Sequence, residues 1–290
     1  MNIPLVYGEE VAEAITAGQP VVALPSGVLR SGPDSAETAR LAEDAVRASG
    51  SVPATIGIDK GRILVGLSET DIERFASTPG VPRVGNRDLP VVLARGTTGA
   101  TTVASSLIAA ELAGLKFLSA AAIGGVHRDA RRVSPDLVQF TRSKVAVVCA
   151  GARSTLDLGL TLKFLETHGV PVVAHRSDDF PAFYCVSSGL RAPHRVDDPA
   201  VLARAIESHW ALGSPGSFLV TTPTKPADAI DSAEIESVIT SVLATGTKYL
   251  ERAVDRATEG RSAKATMAVL INTAEVAGEL AAAHAKEFSS

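Results

Sequence analysis

The chain has 290 residues, of which 46% are hydrophobic and 21% charged, and its formal net charge is −4. We expect one globular domain over residues 1–290, because this apolar content suffices for one large core. The slight acidity argues against binding to nucleic acid or an anionic membrane. No apolar run approaches the roughly 20 residues that span a bilayer, no signal peptide is recognisable, and two cysteines are too few for a disulfide framework. We therefore expect a soluble, cytoplasmic protein.

Short β-branched runs alternate with longer amphipathic segments along the chain. Strands are predicted at 20–26, 53–58, 62–66, 90–94, 115–123, 144–149, 171–175 and 216–221. Helices are predicted at 36–48, 100–114, 154–168, 198–212, 228–245 and, in an alanine-rich end, 246–287. Several strands are continuous apolar runs, as expected where both faces of a sheet are covered. The alternation predicts an α/β sandwich with a largely parallel central sheet.

Four segments rich in glycine and small polar residues follow predicted strands, where ligands bind in sheets of this type. They are 25–27, 96–102, 124–129 and 149–154. The second segment opens a helix with hydroxyls and backbone amides that suit an anion such as phosphate. A capped helix start without a ligand explains the same residues equally well.

Two of these segments carry side chains with more than one interpretation. His127 could hold an anionic group, or it is a buried and hydrogen-bonded histidine. Arg153 could clamp a phosphate or carboxylate, or it pairs with Asp157 four residues later on a helix. Cys149 ends an apolar strand, where a free cysteine is commonly buried and inert. The acidic and aromatic run 178–184 could line a pocket or form a packed loop.

A set of longer motifs covers the chain from about residue 20 to residue 285. It includes VPATI at 52–56, RDLP at 87–90, GATTVA at 99–104, IGGVHR at 123–128, the run 147–173 and FPAFY at 180–184. In these motifs the chain resembles the pseudouridine-5′-phosphate glycosidase family. The resemblance implies an α/β/α sandwich, usually a homotrimer, that reversibly cleaves the C–C bond between uracil and ribose 5-phosphate. It also implies a divalent metal, typically manganese.

The family's chemistry needs a lysine that forms an imine with the opened ribose, a glutamate as proton donor and an aspartate at the metal. In the matching motifs, Pro25 stands at the glutamate, Arg153 at the imine lysine and Arg132 at the aspartate. A second family lysine aligns with Arg83. A guanidinium is permanently protonated and cannot form the imine. We therefore expect the manganese site to be lost, with no cofactor, and Arg83, Arg132 and Arg153 to converge on an anionic ligand.

Other positions match the family and define the rest of the expected site. Thr101, Thr102 and Val103 match its sugar-phosphate region, and Ser134 and Asp136 match its substrate-contacting serine and aspartate. The expected substrate-binding residues are therefore Arg83, Thr101, Thr102, Val103, Arg132, Ser134 and Arg153. For acid–base work the candidates are Asp136, the clearest remaining carboxylate, and His127, because imidazole titrates near neutrality. Maintenance of the scaffold is the alternative role for both.

Three functional hypotheses remain open at this level. The first is a repurposed enzyme that acts on C–C or C-glycosidic bonds of a sugar-phosphate or specialised-metabolite substrate without the lysine imine. The second is a catalytically inactive homologue that binds a ligand or partner. The third is residual pseudouridine-5′-phosphate glycosidase activity through different residues.

Overall fold

The structure is a computed structural model that describes residues 3–30, 34–244 and 250–288. The strands are β1 (Leu5–Tyr7), β2 (Val21–Pro25), β3 (Val52–Asp59), β4 (Arg62–Val65), β5 (Arg83–Val84), β6 (Gly99–Thr101), β7 (Phe117–Ser119), β8 (Val126–His127), β9 (Ala146–Cys149), β10 (Leu156–Asp157), β11 (Val172–Ala174), β12 (His194–Arg195) and β13 (Phe218–Thr221). The helices are α1 (Glu9–Thr16), α2 (Ser35–Ala48), α3 (Glu69–Ser77), α4 (Leu89–Ala94), α5 (Val103–Leu112), α6 (Pro135–Phe140), α7 (Leu158–Thr167), α8 (Pro199–Ala211), α9 (Ser232–Ala244), α10 (Leu250–Ala257) and α11 (Arg261–Phe288).

One large sheet forms the centre of the molecule, in the order β1-β4-β3-β2-β7-β9-β13-β11-β12. From β3 through β12 every neighbouring pair in this order is parallel, as in the pairing of β7 with β9 and of β9 with β13. Within this large sheet, the antiparallel pairs join β3 to β4 and to β6. The prediction of a largely parallel central sheet is confirmed.

Helices cover both faces of the sheet and bury two separate apolar layers. On one face Leu107 of α5 and Leu165 of α7 are fully buried in a cluster that also contains residues of α1. On the other face Val46 of α2, Ile206 of α8 and Leu280 of α11 pack together against the strands. Each helix thus turns an apolar stripe to the sheet, and the α/β/α sandwich is confirmed.

The predicted strand at 90–94 is wrong, because these residues form most of helix α4. A short apolar run does not distinguish a strand from a buried helix. Here Asp88 stands at the N-cap and Pro90 in the first turn, where proline's fixed φ suits a helix. The predicted strand at 115–123 is shorter in the structure, where β7 is followed only by an isolated bridge between Ile123 and Ala152.

The helical end predicted at 246–287 is two helices, α10 and α11, within the described residues, and its positions 246–249 lie outside them. In the ranges that the structure describes, no helix combines the length and the apolar character needed to cross a membrane.

Candidate functional site

Three of the predicted loops follow β2, β7 and β9, which are parallel neighbours, so the loops lie at the same edge of the sheet. The loops after β7 and β9 are joined by backbone hydrogen bonds. Ile123 N donates to Gly151 O at 3.0 Å, and Arg153 N donates to Ile123 O at 3.3 Å. These two hydrogen bonds extend the parallel pairing of β7 with β9 into the loops that follow them. They hold Arg153 beside the 120–125 loop.

Asp136 is buried and links two elements of this edge through its carboxylate. Oδ1 accepts a hydrogen bond from Ala104 N in the first turn of α5, and Oδ2 accepts one from Gly124 N, both at 2.9 Å. A carboxylate near a helix N-terminus is also stabilised by the helix dipole. Each oxygen thus has a backbone donor, which supports the scaffold role for this residue.

Ser134 and Gly124 complete this contact. Ser134 is the N-cap of α6, and its Oγ accepts a hydrogen bond from Asp136 N at 3.2 Å. A Cβ atom built on Gly124 would lie 2.0 Å from Ser134 Oγ and 2.9 Å from Asp136 Oδ2. The loop after β7 therefore requires glycine at position 124.

Thr101 is fully buried and hydrogen-bonds three elements together. Its Oγ1 donates to Ile56 O at 2.7 Å and accepts from Ser106 Oγ at 2.8 Å and from Ser26 N at 3.2 Å. Ser26 Oγ in turn accepts from Thr101 N at 3.0 Å. These contacts tie the loop after β2 to β3 and α5, and they occupy the hydroxyl that was predicted to bind substrate.

We expect Thr101→Val to lower the free energy of unfolding by about 2 kcal/mol, because the Ser26 amide loses its acceptor inside the protein. The measurement is urea denaturation, with Thr141→Val, a half-buried threonine at the C-cap of α6, as the matched control. Unchanged stability together with a large loss of phosphosugar affinity would instead favour direct substrate binding by Thr101.

Thr102 and Val103 lie at the start of α5. Thr102 is the N-cap, and its Oγ1 accepts a hydrogen bond from Ser105 N, while Ser105 Oγ accepts one from Thr102 N. Val103 is buried at the first helical position. This capping box, together with the bond from Ala104 N to Asp136, satisfies two amides of the first turn within the chain.

Arg153 and Arg83 are two cations that interact electrostatically at this edge. Burial lowers the pKa of Arg153, and the neighbouring positive charge of Arg83 lowers it further, whereas Tyr184 and Asp136 act in the opposite direction. Arg153 Cζ lies 5.9 Å from the centroid of the Phe183 ring. Arg83 is exposed on β5, next to the strand that leads into α5. Two close cations in a partly shielded position favour the binding of an anion.

Arg132 lies in the loop between β8 and α6, in different surroundings. Its side chain is 70% exposed, and its Nη2 atom is 4.0 Å from Asp129 Oδ2. Burial and the positive charge of Arg132 lower the pKa of His127, which keeps this imidazole neutral near pH 7. Arg132 contacts His127 and Asp129. Its convergence with Arg83 and Arg153 stays a prediction.

The residues present do not fit the manganese site that the resemblance implies. Arg132 offers positively charged donors and no lone pair for a cation. Asp136, four residues after Arg132, has a backbone donor on each oxygen. Within residues 3–30, 34–244 and 250–288 no group of three or more His, Cys, Asp or Glu side chains is placed to hold a metal ion.

Tyr184 is the residue at this edge that the sequence analysis did not assign. It belongs to the run 178–184, which forms a packed loop, since Phe180, Phe183 and Tyr184 are all buried. Tyr184 nevertheless interacts electrostatically with Arg153. The aromatic cluster was the signal that could have found it. Cys149 is buried as expected, and burial raises the pKa of its thiol to about 12, which leaves it unreactive.

A separate cleft of about 490 Å³ lies at the other end of the sheet, near Gly8, Pro53 and Gly66. Its lining includes Glu10 and Arg47, which form an ion pair at 2.9 Å. None of the predicted site residues lines this cleft, so we do not assign it to the site.

The fold is an α/β/α sandwich with two arginines, Arg83 and Arg153, at this edge of its sheet, and comparisons place the chain among known proteins. The model of the family described as "Indigoidine synthase A like protein" matches residues 10–283. The pseudouridine-5′-phosphate glycosidase of Dickeya dadantii is 55% identical over 294 residues, which cover 96% of this chain and 93% of that protein. Pseudouridine-5′-phosphate glycosidase 1 of Photorhabdus laumondii is 55% identical over 298 residues, covering 97% and 94%. The chain therefore belongs to the indigoidine synthase A-like family of pseudouridine-5′-phosphate glycosidases and their relatives.

Two solved structures share the fold closely. One is the prealnumycin C-glycosynthase AlnA in complex with ribulose 5-phosphate, with a TM-score of 0.94 and 43% identity, covering 100% of this chain and 99% of that one. The other is an indigoidine synthase A-like protein from Thermotoga maritima, with a TM-score of 0.89 and 30% identity, covering 97% and 96%.

Proposed function

We propose that this chain binds a five-carbon sugar phosphate at the edge formed by Arg83 and Arg153. We further propose that it acts on a C–C or C-glycosidic bond of such a substrate without an imine to lysine. The observation that carries the proposal is that Arg153, in the loop after β9, is within electrostatic range of Arg83, whose positive charge lowers the pKa of Arg153. Planar guanidinium groups bind phosphate through paired hydrogen bonds, and partial burial strengthens this attraction.

Relatives support the class of ligand. AlnA, which is similar over the full length of this chain, is a C-glycosynthase whose structure contains ribulose 5-phosphate. The curated relatives at 55% identity are glycosidases of a C-glycosidic sugar phosphate. A sugar phosphate is therefore the ligand class that best suits both the fold and the charge of this edge.

The residues at this edge also limit the mechanism. Arg153 cannot form an imine, because its guanidinium stays protonated, and Pro25 has no side-chain proton to donate. Asp136 is held by two backbone amides. Of the two acid–base candidates named from the sequence this leaves His127, which lies beside Arg132 and whose lowered pKa keeps it neutral and able to accept a proton near pH 7.

Calorimetric titration with ribose 5-phosphate and ribulose 5-phosphate, each with and without manganese, tests the binding. We expect binding that manganese does not change, and we expect Arg153→Gln to weaken it about 30-fold or more, since charge-assisted bonds contribute about 2 kcal/mol or more. Arg142→Gln is the matched control, because Arg142 is exposed and lies just before β9, at the strand end away from the site. Equal affinity of the Arg153→Gln and wild-type proteins would overturn the assignment.

A catalytically inactive homologue that binds a ligand is the second candidate. The observation that favours it is the hydrogen bonding of Asp136, the clearest remaining carboxylate. Both of its oxygens accept hydrogen bonds from backbone amides of the scaffold. Incubation of the protein with ribose 5-phosphate and a panel of nucleobases and aromatic acceptors separates the two candidates. A product with a new C–C bond supports the enzyme, whereas tight binding without turnover across the panel supports the inactive homologue.

A further inference from the structure

Phe183 has a backbone conformation that a bulky side chain rarely adopts. Its φ is +62°, and its side chain is buried in an apolar cluster with residues of α9, α10 and α11. A residue other than glycine keeps a left-handed backbone only where the surrounding structure enforces it, and such strain is concentrated at functional sites. The contacts that hold Phe183 in this conformation therefore indicate its role.

Hydrogen bonds hold the backbone of Phe183 on both sides. Phe183 N donates to Ala150 O at 3.1 Å, and Phe183 O accepts a hydrogen bond from the buried Thr224 Oγ1. The next amide, Tyr184 N, donates to Ala182 O at 2.7 Å across Phe183, which is the hydrogen bond of a γ-turn. The turn is thus fixed both to the loop after β9 and to the segment after β13.

The same turn packs closely on the loop that carries Arg153. Gly151 and Ala182 form an isolated antiparallel bridge, and Ser154 Oγ donates to Ala182 O. A Cβ atom built on Gly151, whose φ is +76°, would lie 2.2 Å from Pro181 O, so this approach requires glycine. Residues on either side of Arg153 are therefore fixed to the turn.

The Arg153 guanidinium lies over the Phe183 ring, with Cζ 5.9 Å from the ring centroid. A cation within about 6 Å of an aromatic face is attracted by the negative potential of the π system, and the attraction is stronger where water is excluded. Phe183 is only 2% exposed, so most of its surface is shielded from water. The ring stabilises the cation without neutralising its charge, whereas a carboxylate in the same place would cancel that charge.

We propose that Phe183 is a positioning residue for Arg153: its strained turn holds the ring beneath the guanidinium and fixes the direction in which that group meets the phosphate of the ligand. Phe183 acts through Arg153 and does not touch the ligand itself. The assignment rests on the proposed function and goes beyond it. It gives a role to the strained turn and to its close packing against the loop after β9.

Sugar-phosphate binding should therefore depend on the ring only while position 153 is arginine. Calorimetry with ribulose 5-phosphate on the full chain measures this dependence in a double-mutant cycle. We expect Phe183→Leu to bind ribulose 5-phosphate about fivefold more weakly than the wild type. In the Arg153→Gln background the same change should alter the affinity by less than about twofold, because the cation that the ring positions is gone.

Two further variants separate the electrostatics of the ring from its packing. Replacement of Phe183 by a ring-fluorinated phenylalanine keeps the shape of the ring and weakens the negative potential of its face. We expect the affinity to fall about threefold while the melting curve is unchanged. Phe75→Leu is the matched control, because Phe75 is also 2% exposed and Arg74 Cζ lies 5.1 Å from its ring centroid. It should lower the melting temperature as Phe183→Leu does and leave the affinity unchanged.

The outcomes separate this assignment from the proposed function. If Phe183→Leu and the fluorinated protein bind ribulose 5-phosphate as tightly as the wild type, Phe183 does not position Arg153, and only the proposed function stands. If Phe183→Leu weakens binding equally with arginine and with glutamine at position 153, the ring acts through packing alone, and the assignment is overturned. If the wild type does not bind ribulose 5-phosphate, the proposed function fails and the assignment fails with it.

Discussion

The double variant Pro25→Glu/Arg153→Lys is expected to form an imine with ribose 5-phosphate that borohydride traps, whereas the wild type forms none. Only a neutral amine attacks a carbonyl, and the wild type has a guanidinium at this position. Burial and the charge of Arg83 lower the pKa of the cation at position 153, and the same surroundings would leave more of a lysine there in the neutral form. Intact-mass spectrometry after reduction should change from no adduct to one sugar phosphate on most chains.

The control for this experiment is Pro25→Glu/Arg153→Gln, which has the carboxyl group but no amine at position 153. The wild type itself tests whether another lysine has taken over. Lys116 lies just before β7, at the strand end away from the site, and its Nζ is 2.6 Å from Glu207 Oε1. The side chain of Lys163 is 75% exposed. A trapped adduct on the wild type, mapped to any lysine, would contradict the loss of the imine mechanism.

Asp136→Ala is expected to lower the free energy of unfolding by about 3 kcal/mol, because two backbone amides at the centre of the site lose their acceptor. These amides belong to Ala104, in the first turn of α5, and to Gly124, after β7. Asp136→Asn keeps one oxygen acceptor and should lower it by about half as much. Urea denaturation of the three proteins, fitted with a common slope, measures the differences.

Asp129→Ala is the matched control, since Asp129 is 48% exposed and its contact with Arg132 is 4.0 Å long. We expect it to change the free energy of unfolding by less than about 0.5 kcal/mol. An Asp136→Asn protein that is as stable as the wild type but has lost turnover of an identified substrate would contradict the scaffold role and support Asp136 as an acid–base group.

Sequence periodicity predicted the elements that form the two apolar layers, and it failed where an apolar run was short. The segment 36–48 corresponds to α2, and 198–212 corresponds to α8, because each has one clear apolar face over several turns. The segment 90–94 is too short to show a period, so the sequence pattern does not distinguish the helix that it forms from a strand. Helix α3 was not predicted at all, although Ser68 and Asp71 form a capping box at its start.

The candidate site, too, was predicted only in part from the sequence. The chemistry of its residues followed from the sequence, since an arginine cannot replace an imine lysine in any surroundings. The motifs shared with the family also indicated Thr101 and Asp136 as candidate site residues. Whether such residues face a ligand or the scaffold depends on contacts between distant parts of the chain, such as Thr101 with Ser26 and Asp136 with Ala104.

The sequence by itself determined the fold class and the family, and it predicts that Arg153 and Pro25 stand where the family has an amine and a carboxylate. Tertiary structure alone decided that Asp136 has a donor on each oxygen and that the positive charge of Arg83 acts on Arg153. The physical reason is that residue type and local periodicity are properties of neighbours in sequence. The direction of a hydrogen bond and the closeness of two charges depend on groups that only the folded sheet and its helices bring together.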